Sequence, residues 1–338
     1  MAYITLNKKH FFNNLDIIAQ RSKGKDKIAL VLKDNAYGHG LREMALMAQE
    51  YGIDKCVVRS YNEAKSIEDL FAYILVLADV PKNFSSKIRY TINDLRTISQ
   101  LPKGTKVELK VNTGMNRNGI EMFELREAFQ AIQEQKLELE AVFTHHSCAD
   151  EDLCIFEEQN RNFAKIKEAS LVLQKEFAFK QLRFHSCNSA ALFETDNFNE
   201  DMARVGIAAY GCLELPNSIK IDGLKAVLSL YAKRISLRKV SKGVAIGYGA
   251  SYKAEQDILV GNYDFGYGDG FLRSCSNRYK TPDSVVLLGR ISMDNSSFLS
   301  DKEELLIFDD ATEVAKSAQT ISYEVLTSLK PHLKRIVV

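Results

Sequence analysis

Short apolar runs alternate with amphipathic stretches along roughly the first two-thirds of the chain. Eight of the runs read as strands: KIALVLK from Lys27, KCVVRS from Lys55, AYILVLA from Ala72 and IRYTIN from Ile88, then KVELKVN from Lys106, LEAVFTHH from Leu139, LRFHSCN from Leu182 and MARVGIAAYG from Met202. Most are near-continuous rather than alternating, as expected of parallel strands covered on both faces. Between them lie helical patterns. The clearest follows Leu153, where Phe156, Phe163, Ile166 and Leu173 recur at helical spacing beside Glu and Lys. Asn62, before EAKSIEDLF, is a candidate N-cap for another helix. Eight strands interleaved with helices predict an α/β fold, a (β/α)8 TIM-type barrel. A doubly wound open sheet is the rival, although no G-x-G-x-x-G follows the first strand.

From about Leu224 the pattern changes. AVLSLYAKRISLRKV, DILVGNYDFGYG and SVVLLGRISMD are β-rich and punctuated by glycine. A helical pattern returns only near SYEVLTSLKPHL. The division this predicts is a barrel over 1–220 and a mostly β domain over 221–338, with the first few residues free to join the second domain.

Composition narrows the partners. A formal net charge of +1 gives no electrostatic argument for nucleic acid or an anionic membrane surface. No apolar run is long enough to span a bilayer, and MAYITLNKKHFF lacks the basic-then-apolar signature of a secretory signal, so a cytoplasmic location is expected. The six scattered cysteines form no C-x-x-C pair, and no metal is expected.

In a barrel the chemistry gathers at the C-terminal mouth. Lys33 ends the first strand, Lys110 lies in the fifth and Arg117 follows it. His145 and His146 end the sixth, the seventh runs into Asn188 and Ser189, and the eighth carries Arg204. Singly, each has a plainer reading. A strand-end lysine often snorkels to solvent, Ser189 could cap the next helix, and Tyr248 and Tyr267, each in a GYG, could be turn residues. Together they describe one cavity.

In order along the chain, VLKDNAYGHG, LKVNTGMNRNG, FTHHSCADE, HSCNSAALF, MARVGIAAYG, IGYGASY, FGYGDGFLR and GRISMDN resemble alanine racemases. These are enzymes with a barrel, a C-terminal β domain and pyridoxal 5'-phosphate. The resemblance implies that Lys33 carries the cofactor as a Schiff base and returns as the acid/base for the D-face, while Tyr248 serves the L-face. It implies that His145 orients Tyr248 and leans on Arg204, which faces the cofactor ring. Phosphate binding falls to Tyr37, Ser189 and the backbone around Gly206 and Ile207, with Asn188 beside them. Arg117 clamps the substrate carboxylate, and Lys110 matches a lysine often carried as a carbamate. Met293, Tyr267 and Asp294 complete the pocket.

The resemblance further implies L- and D-alanine as substrates, D-alanine supply to peptidoglycan, and a head-to-tail homodimer in which Tyr248 and Met293 reach the other subunit. A racemase of broader specificity, such as for serine or lysine, is the near alternative. A decarboxylase on a related barrel is disfavoured by Tyr248 and Met293, and a non-catalytic pyridoxal-phosphate carrier by the long segment after the barrel. Three positions depart from the family. Asn112 stands where aspartate is common, Asp34 replaces a small residue, and a tyrosine near the phosphate is expected where this chain has Val337. His39 has no assigned role.

Overall fold

The protein was analysed as a computed structural model that describes residues 1–83, 85–151, 153–215 and 223–338. Strand β1 (Tyr3–Leu6) leads into helix α1 (Lys8–Ser22), whose N-cap Asn7 accepts the His10 N–H. Eight strands follow: β2 (Ile28–Val31), β3 (Lys55–Val58), β4 (Tyr73–Val76), β5 (Ile88–Ile92), β6 (Lys106–Lys110), β7 (Glu138–Phe143), β8 (Arg183–His185) and β9 (Ala203–Val205). All neighbours pair in parallel, in the order β8-β7-β6-β5-β4-β3-β2-β9. The seam between the outer two is bridged by the Arg204 N–H, which donates to the Cys187 carbonyl at 2.9 Å. The open doubly wound alternative is therefore set aside in favour of a nearly closed barrel.

Each apolar run falls on one of these strands, but the last was read too long. Beyond Val205, GIAAYG leaves the sheet in a turn, where the Ala209 N–H donates to the Gly206 carbonyl. The helices that wrap the barrel are α2 (Leu41–Tyr51), α3 (Tyr61–Ser66), α4 (Leu125–Glu134), α5 (Leu153–Glu176) and α6 (Ser189–Glu194). In α5, Phe156, Phe163, Ile166 and Leu173 are all buried, as their spacing predicts. The N-cap of α3 is Ser60, not Asn62: Ser60 and Glu63 form a reciprocal capping box, which satisfies two orphan N–H groups that Asn62 could not reach.

The second half is mostly β. Strand β10 (Leu228–Val240) is its spine, paired with β1, with β13 (Ile258–Tyr263) and with β16 (Glu304–Phe308). Short strands β11 (Ala245–Ile246), β12 (Tyr252–Lys253), β14 (Leu287–Leu288) and β15 (Ser296–Phe298) and a final β17 (Lys334–Val337) complete it. Thus β1 sits in this sheet, between β10 and β17. Two helices occur here rather than one. Besides α8 (Ser322–Ser328), α7 (Ala311–Ala318) is capped by Asp310 and buries Ala311, Val314, Ala315 and Ala318. Three of these four buried positions are alanine, which marks a core face less plainly in a sequence than larger apolar residues do. The expected boundary at 220/221 lies outside the described residues.

One apolar core joins β2, β3, β4 and β9 to the C-terminal domain through Phe271, Val325, Leu326 and Leu329. A second, under β5 to β8, is packed by α4 and α5. The barrel edge that carries Lys33 is therefore the edge welded to the second domain. No helix among the described residues is long and apolar enough to cross a membrane.

Candidate active site

Lys33 lies two residues beyond β2, and the next four residues run in the left-handed region: Asp34, Asn35, Ala36 and Tyr37 have φ of 54, 57, 52 and 51°. Each non-glycine residue there costs about 1–2 kcal/mol, and only Asp and Asn are eased by their short polar side chains. The turn persists because its surroundings over-determine it. The Asp34 N–H donates to Glu63 Oε1 (2.7 Å), and Asn35 Oδ1 accepts the Leu41 N–H that opens α2 (2.9 Å). Gly38, at φ 76°, lies so close to α8 that a β-carbon would sit 2.0 Å from the Leu326 carbonyl oxygen. Arg335, from β17, donates Nη2 to the Gly38 carbonyl at 2.8 Å. The C-terminal domain thus holds the lysine turn in place.

The Asp34 carboxylate is oriented by two cations, Arg59 Nη1 at 3.4 Å and Lys33 Nζ at 3.8 Å. His39 is fully buried. Its Nδ1–H donates to the Tyr37 carbonyl (3.1 Å), its ring stacks on Tyr210 at 4.4 Å, and Nε2 has no partner among the described residues. Burial holds its pKa down at about 4, so it packs beneath the turn as a neutral ring.

Cationic and imidazole groups crowd the mouth. Lys110 is buried, and desolvation, Arg117, Arg204 and Lys33 together lower its pKa to about 8. His145 is driven well below the ordinary histidine range by burial and by Arg204, Lys110 and Arg117. Arg117 and Arg204 act on both Lys110 and His145, and Lys33 acts on Lys110, so the five groups lie near one another. His146 points elsewhere: Nε2 meets Ser186 Oγ at 3.0 Å and the ring packs edge-on against Phe156 at 4.8 Å. The pair HH therefore divides into one mouth residue and one packing residue.

Arg204 is buried and held by four protein acceptors. Nη2 donates to the carbonyls of Thr144 (2.7 Å) and Ser186 (2.9 Å), and Nη1 to the His185 carbonyl (3.3 Å) and to His185 Nδ1. Its Nε is left without an acceptor among the described residues. Behind it, His185 Nε2 meets Glu108 Oε2 (2.9 Å), and Glu108 Oε1 receives Tyr73 Oη (2.5 Å) and Arg183 Nη2 (2.9 Å). Sequence reasoning missed His185, Glu108, Tyr73 and Arg183. A charged residue alternating with Val107 and Leu109 in KVELK was the available signal.

Below Lys33, Ser189 Oγ accepts the N–H groups of Gly206 (3.1 Å) and Ala208 (3.3 Å). The cap of α6 is Asn188, whose Oδ1 accepts the Ala191 N–H, so Ser189 is not spent on capping. The Tyr37 hydroxyl presses on Gly206, where a β-carbon would lie 2.8 Å from it. Burial, then Tyr323 and Asp34, raise the Tyr37 pKa and keep it a neutral phenol. Tyr323, from α8, places its ring 5.8 Å from that of Tyr37. Val337, where a tyrosine was looked for, is a strand residue paired with Leu6, and the tyrosine that meets Tyr37 is Tyr323. The signal lay in SYEVL, already read as helical.

Asn112 organises the loop that carries Arg117. Oδ1 accepts the N–H groups of Gly114 and Asn116, and Nδ2 donates to Asn116 Oδ1 (2.8 Å) and Glu121 Oε1 (3.0 Å). Gln159, in α5, was also missed. It accepts the Ser147 N–H at 2.9 Å and donates to the His145 carbonyl, holding the histidine loop.

Tyr248, Tyr267, Met293 and Asp294 do not reach this mouth within one chain. They sit together on the C-terminal domain, 67 % exposed at Tyr248 and 56 % at Met293. The loops of Tyr267 and Met293 are tied to one another, since the Gly268 N–H donates to the Met293 carbonyl (2.7 Å) and the Tyr267 N–H to the Ser292 carbonyl (3.0 Å). Among the described residues, no group of three or more His, Cys, Asp or Glu could hold a metal.

Comparison with known proteins gives the same architecture. Residues 6–214 match the family model for the alanine racemase N-terminal domain, and 227–337 that for the C-terminal domain. The chain is 42 % identical over 335 residues to an alanine racemase of a Nitratiruptor species, and 41 % identical to one of Campylobacter concisus, covering 99 % of each protein in both cases. Among solved structures, alanine racemase of Bacillus anthracis with bound L-Ala-P aligns over 100 % of this chain and 95 % of that one, with 27 % identity and a TM-score of 0.88. That of Clostridium difficile 630 aligns equally far, at 26 % identity and a TM-score of 0.90. With both domains matched in order and the barrel shared, the chain belongs to the alanine racemase family of pyridoxal-phosphate-dependent isomerases.

Proposed function

We propose that this protein interconverts L- and D-alanine in the cytoplasm, supplying D-alanine to peptidoglycan, as a head-to-tail homodimer that binds pyridoxal 5'-phosphate at each barrel mouth. The observation that carries it is that Lys33, Lys110 and His145 stand at or just beyond the ends of the parallel strands β2, β6 and β7, with Arg204 in β9 bonded to the Thr144 carbonyl beside them.

The residues fit the cofactor. Gly206 leaves room that a β-carbon would fill, beside Tyr37 Oη, Ser189 Oγ and the backbone around Ile207. Small hydroxyl and N–H donors of this kind suit a phosphate. The unclaimed Nε–H of Arg204 is a donor for a ring nitrogen, and a permanent guanidinium disfavours protonation there. Pyridoxal phosphate, when bound, supplies an electron-withdrawing ring that acidifies the Cα–H of an attached amino acid.

The chain's own groups do the rest. Lys33 holds the cofactor through its amine and handles the proton on one face of Cα. Arg117, exposed in a single chain, clamps the substrate carboxylate. Lys110, with a pKa of about 8, has the neutral amine population that a carbamate forms from, which would place an anion beside Arg117. Tyr248, Tyr267, Met293 and Asp294 serve the partner's mouth. The exposure of Tyr248 and Met293 supports this reading, because neither has anything to do in its own barrel.

Purified protein with added pyridoxal phosphate should form D-alanine from L-alanine and the reverse, faster than it acts on serine or lysine. Stimulation by bicarbonate would read the Lys110 carbamate. No D-alanine and no cofactor absorbance would remove the proposal.

A further inference from the structure

The buried chain behind Arg204 has a direction that the hydrogen inventory dictates. An arginine can only donate, so His185 Nδ1 must be the acceptor in their bond. The other ring nitrogen then carries the proton and donates to Glu108 Oε2 at 2.9 Å. His185 cannot rotate out of this arrangement, because its ring is stacked on Phe143 at 4.8 Å and 12°. Glu108 and His185 are both 0 % exposed, so no water competes for these bonds. The carboxylate is kept ionised. Burial raises its pKa, but the hydrogen bonds it accepts from His185 and Tyr73 and the charge of Arg183 oppose burial and hold it low. Its charge is balanced from the lower rim of the barrel, where Arg183 Nη2 bridges Glu108 Oε1 and Glu140 Oε2, both at 2.9 Å, and Arg89 Nε donates to Glu140.

We propose that Glu108 is a positioning residue for the site: it holds neutral His185 in the Nε2–H form, so that Nδ1 accepts from Arg204 and fixes the guanidinium in the mouth. The importance of the guanidinium rests on the proposed racemase reading; the proton arrangement does not. The neutral amide isostere separates charge from shape. In Glu108→Gln the amide oxygen stays at the Oε1 position, because Arg183 can only donate there. The amide N–H2 then faces His185 Nε2. Donor meets donor, and since a proton moved to Nδ1 would face the Arg204 donors instead, no neutral form of His185 satisfies both neighbours and the single tautomer is lost.

The test is nitrogen NMR of full-length protein labelled with 15N-histidine, with and without pyridoxal phosphate. The His185 signals are assigned by their loss in His185→Asn. The wild type should show a protonated Nε2 and an unprotonated Nδ1 from about pH 6 to 8, across the range where an ordinary histidine titrates. Glu108→Gln should replace this single pattern with a mixture of protonation forms, and Glu108→Asp, which keeps the charge, should preserve it. In turnover, Glu108→Gln should lower kcat by about tenfold or more, as a misplaced histidine proton does, with little change in KM for alanine. A wild-type His185 that is Nδ1–H or cationic overturns the proposal without any variant. So does a Glu108→Gln protein with the unchanged pattern. Absence of racemase activity alongside the expected nitrogen pattern would sink the racemase reading and leave the positioning role standing.

Discussion

The barrel mouth and the exposed loops of the C-terminal domain treat their candidate site residues in opposite ways. In the mouth, Lys110, Arg204, His185 and Ser189 are buried, and Arg204, His185 and Ser189 are fixed by bonds within the chain. On the C-terminal domain, Tyr248, Tyr267 and Met293 face solvent, although the loops of Tyr267 and Met293 are joined by the Gly268 N–H bond to the Met293 carbonyl. A β-carbon at Gly266 would lie 2.2 Å from that same carbonyl oxygen, so the loop is rigid by construction. Rigid backbone beneath exposed aromatic and thioether side chains is a surface shaped for something the single chain lacks. The barrel half is finished; the other half is presented.

The sharpest way to break this contrast is Tyr248→Phe. If Tyr248 handles the proton on one face of Cα, deleting its hydroxyl should cost about 10²–10⁴ in turnover. The loss should be asymmetric, with α-proton exchange surviving better for the enantiomer served by Lys33. Solvent-deuterium incorporation into each alanine enantiomer measures this directly. Equal losses from both enantiomers, or none, would mean that the exposed tyrosine belongs to packing and that the mouth works alone.

How much of this was legible differs between the halves for a physical reason. Near-continuous apolar runs locate buried parallel strands well, so all eight barrel strands and the residues at their ends were readable from the sequence. Glu108 was not singled out, because a charge inside a strand normally means solvent, and only the closed barrel gives it partners. The left-handed course of Asp34 to Tyr37 was not legible either: Ala36 and Tyr37 have no local reason to adopt it, and Glu63, Leu326 and Arg335 impose it from far along the chain. Tyr323 was missed for the same reason, since its meeting with Tyr37 is a contact between domains.

Acid should separate the halves next. His39 and His146 are buried neutral, with pKa values of about 4, and His145 and His185 are also lowered. All four lie in the barrel, whereas the C-terminal domain's histidine, His332, is exposed beside Asp269. A folded pKa below the unfolded value of about 6.5 gives stability that is complete above pH 6.5 and lost as pH falls towards 4. For His39 and His146 this is worth about 3 kcal/mol each. Melting temperature should therefore drop steeply between those limits, and His39→Phe should flatten part of the drop. A profile level down to about pH 4.5 would show that these rings are hydrated rather than sealed.

The smallest effect is expected at the joint between the halves. Ala36 has φ 52° and ψ 51°, in a turn held by the C-terminal domain, and its methyl group is fully buried. Glycine at this position removes about 1–2 kcal/mol of left-handed strain. It also gives up about 0.8 kcal/mol of buried methyl and about 0.5–1 kcal/mol through the freer unfolded chain. Ala36→Gly should then leave unfolding free energy within about 1 kcal/mol of the parent by chemical denaturation. A clear gain would mean that the turn stores strain which the second domain holds down. A loss above about 2 kcal/mol would mean that the methyl packs a tight contact beyond its area. In the first case the C-terminal domain acts on Lys33 as a clamp under load; in the second it only fills space beneath it.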